Sequence, residues 1–182
     1  MDCLAYARNV ESMKLWGVLM IDPPKWDAFK KLHTLEIVGA RLKDSALTSA
    51  LKGCPNLKTL VLLGCEGNQK VSIDLPHLER CKMAFHGQGN CSFSLNSPKI
   101  EDLEVHGCSW IGVPHSKCLK NLTISNEAGR VYMVDFGELT ALESLTIRGV
   151  QWCWDAISTI INLASEVKHL FMKVEFTGDI GS

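Results

Sequence analysis

The sequence predicts a curved α/β solenoid of about eight repeats, with one parallel strand per repeat on the concave face and a convex face that is part helix, part extended. Three observations carry this prediction. The apolar pattern Leu-x-x-Leu-x-Leu, with Cys or other apolar replacements, recurs eight times along the 182 residues. A glycine stands two residues beyond the last apolar position in five of the eight copies. The segments between copies switch between helical and extended periodicity. A unit of this size cannot bury its apolar edge alone, and stacking against neighbours gives it a shared core.

Taken in order, the apolar triplets are Val10/Met13/Leu15, Leu32/Leu35/Ile37, Leu57/Leu60/Leu62, Leu78/Cys81/Met83, Ile100/Leu103/Val105, Leu119/Leu122/Ile124, Leu142/Leu145/Ile147 and Val167/Leu170/Met172. Their register spacings are 22, 25, 21, 22, 19, 23 and 25 residues, so the copies tile the chain, and residues 1–182 read as one repeat domain. Gly17, Gly39, Gly64, Gly107 and Gly149 follow where the backbone must turn off the strand, and Phe85, Asn126 and Val174 take that place in the other copies. Just beyond the turn, Cys65 and Cys108 occupy the position that a small polar or thiol side chain plugs.

The return segments differ in kind. Asp44 or Ser45 is expected to cap a helix that presents Ala46, Leu47, Ala50 and Leu51 on one face and ends at Gly53, ahead of Pro55. Asp155 precedes a second stripe, Ile157, Ile160, Ile161 and Ala164. Shorter repeats alternate instead, as in Val71-x-Ile73-x-Leu75 and Cys91-x-Phe93-x-Leu95, which predicts extended segments with one buried face. Trp152 and Trp154 are expected to pack between return segments.

Composition narrows the function. A net charge of -1, from 19 basic and 20 acidic residues, supplies no basic face for phosphate backbones, so no nucleic-acid partner is expected. The apolar stretch 15–21 is too short to span a bilayer, and Pro23-Pro24-Lys25 follows it where a leader's cleavage site would stand. No membrane association is expected, and the address is cytoplasmic or nuclear. Eight cysteines fall below the density of a disulfide scaffold and read as reduced thiols.

The stretch from Leu42 to Cys65, with Cys54-Pro55-Asn56-Leu57 and Leu62-Leu63-Gly64-Cys65 at its heart, resembles the cysteine-containing leucine-rich repeat of plant F-box proteins. Pro-x-Leu/Ile recurs at Pro76-His77-Leu78 and Pro98-Lys99-Ile100, and residues 163–176 are similar to the ending of the same family. The resemblance implies a leucine-rich-repeat solenoid that holds a protein target for an SCF-type ubiquitin ligase, while an F-box elsewhere docks a Skp-type adaptor. No F-box fits in the nine residues before Val10, so a Skp-type partner is expected only if the full-length protein carries one. With few residues left for caps, a fragment, or ends covered by another domain or partner, is expected.

Period-2 alternation sends the residues flanking the second and third apolar positions to the concave surface. The candidate partner-binding residues there are Trp16, Val38, Val61 and Leu63, an apolar patch, with Arg80, Lys82, Asp102, Glu104 and His106 beside it and Arg148 further along. The bland reading is that a loop or cap covers Trp16. No catalytic constellation is found, and no enzyme activity or cofactor is expected. The run His106-Gly107-Cys108 with His115 and Cys118 lacks zinc-ligand spacing, so no metal is expected. Gly87-Gln88-Gly89 lacks the third glycine of a dinucleotide fingerprint. Two alternatives stay open: a small-ligand-binding receptor of the same fold, with a pocket near Trp16, Arg80 and His106, and an extracellular ectodomain, which Asn90-Cys91-Ser92 and Asn121-Leu122-Thr123 would suit as glycosylation acceptors.

Overall fold

The computed structural model describes residues 7, 9–22, 26, 29–67, 69–85 and 91–176, with the side chain of Met133 excepted. Along the chain run β1 (Ser12–Trp16), β2 (Leu19–Met20), β3 (Thr34–Val38), β4 (Arg41–Leu42), α1 (Asp44–Lys52), β5 (Thr59–Cys65), β6 (Lys70–Asp74), β7 (Arg80–Phe85) and β8 (Cys91–Asn96). Then follow β9 (Asp102–His106), β10 (Cys108–Val113), β11 (Asn121–Val131), β12 (Met133–Phe136), β13 (Ser144–Trp152), α2 (Trp154–Leu163) and β14 (His169–Phe176).

One strand from each repeat joins an eight-stranded sheet in the order β1-β3-β5-β7-β9-β11-β13-β14, every pair parallel. Its consecutive strands are consecutive repeats, which makes this a leucine-rich-repeat solenoid. Behind it lie a four-stranded parallel sheet, β12-β10-β8-β6, a two-stranded one, β2-β4, and the two helices. The alternating segments around Ile73 and Phe93 form β6 and β8, and the longer repeats carry α1 and α2, so the back is part extended and part helical.

A repeating hydrogen-bond motif sets the register at the strand entries. Two consecutive N–H groups share one carbonyl of the preceding repeat: Lys58 and Thr59 on His33, Glu79 and Arg80 on Lys58, Glu101 and Asp102 on Glu79, Lys120 and Asn121 on Glu101. The leucine triplets then face inward. Leu35, Leu60, Leu62, Met83, Val105 and Ile147 are fully buried, and Phe93, Ile73 and Ile111 meet them from the back. At β14 the same core positions are uncovered: Leu170 is 50% and Met172 36% exposed.

All five glycines after the strands take positive φ. Gly107 shows why. Its φ is 84°, and a Cβ there would stand 2.9 Å from the Phe85 carbonyl oxygen. Gly107→Ala is therefore expected to cost about 1–3 kcal/mol, read as a lower urea midpoint with an unchanged slope. Where Asn126 replaces the glycine, the turn is absent and β11 runs on for 11 residues. The buried Asn126 amide donates to the Cys108 carbonyl at 3.1 Å and accepts from the Ala128 N–H at 3.3 Å, joining neighbouring repeats.

Two local expectations are corrected. Asp44 and Ser45 do not cap α1: Lys43 is the N-cap, without a side-chain bond, and α2 is likewise preceded by Cys153 rather than Asp155. The Asp44 carboxylate is drawn instead to the next repeat, accepting from the Lys70 N–H at 2.9 Å and the Gln69 N–H at 3.3 Å. Trp152 is fully buried, whereas Trp154 is 65% exposed, so only the first packs as expected. No described helix is long and apolar enough to cross a membrane. Pro23, Pro24, Gly87 and Gly89 lie outside the described residues.

Candidate binding face

Strand pairing builds three side-chain columns across the front sheet. One runs Thr59, Arg80, Asp102, Asn121; the middle one runs Lys14, Glu36, Val61, Lys82, Glu104, Thr123; the last runs Trp16, Val38, Leu63, Ala84, His106, Ser125, Arg148, Lys173. Core side chains point the other way from the same strands, so position on this face follows from the pleat. A groove of about 280 Å³ crosses the first two columns between β5 and β11. Among the predicted residues Val61, Arg80, Lys82, Asp102 and Glu104 line it. Thr59, Asn121 and Thr123 line it too and were not singled out from sequence, because a small polar residue at a strand position carries no signal of its own.

His106 joins the groove through a hydrogen bond of 2.6 Å to Glu104. Trp16 and Val38 lie off it, toward the β1 edge, and Leu63 lies two residues beyond it along β5. Trp16, 69% exposed, is covered on one side by Lys14, whose ammonium sits 5.1 Å from the ring centroid and 2.6 Å from Glu36. Trp16 is thus three strand steps and four residues along the strand from Arg80, roughly 20 Å, and the pocket expected from Trp16, Arg80 and His106 together does not form. Arg148 stands apart on β13 with its guanidinium 5.0 Å from the Phe171 ring centroid.

The carboxylates of the face are engaged by neighbouring side chains. Lys82 meets Glu104 at 2.9 Å, Asn121 donates to Asp102, and Arg80 Nε donates to Thr59 Oγ1 at 3.2 Å. Burial acts to raise the Glu104 carboxyl, but hydrogen bonds from Lys82 and His106 and their charges outweigh it and hold Glu104 below its ordinary value of 4.5. A depressed folded value means the contribution is complete above the ordinary value and is lost as pH falls through the depressed one. The expected effect is small, since the side chain is 34% exposed. Glu104→Gln should flatten that acid limb in a series of urea melts at falling pH.

A second row, at the strand entries, alternates in sign: Lys58 with Glu79 at 3.4 Å, Lys120 with Glu101 at 2.8 Å, Lys168 with Glu143 at 3.1 Å. Its members are largely exposed, so the row guides register more than it stabilises.

Among the described cysteines, Cys54, Cys65, Cys81, Cys91 and Cys108 are packed in the interior. Cys54 and Cys81 are buried, and burial pushes their thiols up to about 11 and about 12. Cys108 and Cys91 are register partners in the back sheet; the Cys108 thiol, hydrogen-bonded to Cys91 and buried, lies well above the usual thiol range. Cys118 and His115 are exposed, while His106 is bound to Glu104 on the concave face. Among the described residues no three His, Cys, Asp or Glu converge as metal ligands would. Among the described cysteines of the native protein a maleimide should label Cys118 first, with Cys54, Cys65, Cys81 and Cys108 reacting only after denaturation; rapid native labelling of that set would contradict the packing.

The family described as "FBD-associated F-box protein At5g56370, LRR repeats" matches residues 7–178. The chain belongs to that family. It is 61% identical to the F-box protein At1g10780 of Arabidopsis thaliana over 98% of this chain and 43% of that protein. It is 30% identical to the F-box/LRR-repeat protein At3g26922 of the same plant over 54% of this chain and 34% of the relative. The chain therefore spans less than half the length of these curated relatives. No solved structure matches.

Proposed function

We propose that this plant-type F-box leucine-rich-repeat module holds a protein target on its concave face for a ubiquitin ligase, in the cytoplasm or nucleus, while another part of a longer protein contacts a Skp-type adaptor. The observation that carries the reading is the groove across β5, β7, β9 and β11, formed by side chains that the repeat leaves free to vary on a frame it fixes. The F-box in the relatives' names supports the ligase context.

The test is affinity capture from plant cells with the full-length gene product, comparing wild type, Val61→Glu in the groove and Lys52→Glu on the exposed side of α1. All three should retain the adaptor, and Val61→Glu alone should lose the target set by tenfold or more. Absence of adaptor defeats the ligase assignment; an unchanged target set defeats the concave face. A small-ligand role has one observation in its favour, since about 280 Å³ approaches the smallest ligand pockets. A metabolite that binds there would raise the melting temperature of wild type and not of Val61→Glu.

A further inference from the structure

The pairing of charges on the concave face is incomplete in one direction. Glu36 is held by Lys14, Asp102 by Asn121, and Glu104 by Lys82 and His106, so the face's carboxylates are engaged internally. Two cations, Lys14 and Lys82, are neutralised in the same way. Arg80 and Arg148 are not. Arg80 spends only Nε, on Thr59, and Arg148 rests on the Phe171 ring; neither meets a carboxylate among the described residues, and both are exposed. Lys173, the register partner of Arg148, adds a third cation. The net charge of -1 for the whole chain hides this local excess of positive charge.

We propose that the concave face takes an acidic, extended peptide segment of its target, with one carboxylate on Arg80 and a second on Arg148. This rests on the target-holding role proposed above. The planar fork of a guanidinium matches a carboxylate with two parallel hydrogen bonds, and the Arg80 terminal nitrogens are left available for it. Three strand steps and four residues along the strand separate the two arginines, a span of roughly 20 Å, or about six extended residues. Thr123 and Asn121 lie between and offer polar groups to a peptide backbone. A nucleic acid fits less well. Its phosphates recur every few ångströms, so a strand crossing this face would lay some of them against Asp102 and Glu104, whereas a peptide places its acids only where cations wait.

The test is selection from a displayed library of random peptides of about twelve residues on the purified chain, with wild type compared to Arg80→Gln and Arg148→Gln. Enriched peptides should be acidic, with two Asp or Glu roughly six apart, and should bind each variant at least fivefold more weakly and the double variant more weakly still. Unchanged melting temperatures would show that the exposed substitutions leave the fold intact. Neutral or basic enriched peptides, no enrichment, equal binding to the variants, or arginine-dependent binding of an oligonucleotide instead would each overturn the proposal. Loss of the target in the Val61→Glu capture together with retention in Arg80→Gln would leave the target-holding role standing and remove the acidic segment alone.

Discussion

Phe93→Ala is expected to lower stability by about 3–5 kcal/mol, the cost of emptying a fully buried aromatic site. Phe93 is the middle of β8, paired on one side with Val71 of β6 and on the other with Ile111 of β10, so its ring fills the space between the front and back layers for three repeats at once. Relaxation that closes the cavity would have to shift both sheets, which argues for the upper part of that range. In a solenoid each repeat leans only on its neighbours, so the loss should first loosen the central repeats and show as a broadened thermal transition. A change below 1 kcal/mol would mean that the back sheet is not packed as described.

Trp152→Ala should cost a similar amount, about 3–5 kcal/mol, while Trp154→Ala costs far less. Trp152 is fully buried and donates its indole N–H to the Arg148 carbonyl at 3.0 Å, and a Cβ on Gly149 would fall 2.8 Å from that same nitrogen. Its removal therefore empties a large site and strips a partner from a strand carbonyl. Trp152→Phe keeps most of the volume and should recover most of the loss. Equal sensitivity at positions 152 and 154, measured by urea melts, would contradict the packing.

The two tryptophans also mark where sequence reasoning stops. The front sheet was legible because an apolar pattern recurs at near-constant spacing in every repeat, and in five of the eight a glycine with positive φ marks the turn as well. The concave residues named from the sequence are joined by backbone pairing, as from Val61 to Lys82 to Glu104. The convex side repeats no such constraint. Alternation predicted β6 and β8, yet nothing in Cys153 announces a helix cap, and nothing in Asp44 announces a bond to the next repeat. Those depend on which backbone groups happen to be left open nearby.

The site was legible in part for the same reason. Arg80, Lys82, Asp102 and Glu104 could be set side by side from the period alone, but their pairing, and the distance of Trp16 from them, needed the registered sheet. The small residues that make the groove a groove are visible only as the absence of bulk between charged neighbours.

The central claim is that eight strands stand in one parallel register with these columns on a single face. Cross-strand nuclear Overhauser contacts in the 20.2 kDa chain test it most directly. The expected result is side-chain contacts linking Val61 with Lys82, Lys82 with Glu104, and Glu104 with Thr123. Side-chain contacts that link Val61 with Cys81 or Met83 instead would mean a slip of one residue, which would turn the core side chains of that strand to solvent and contradict both the fold and the face.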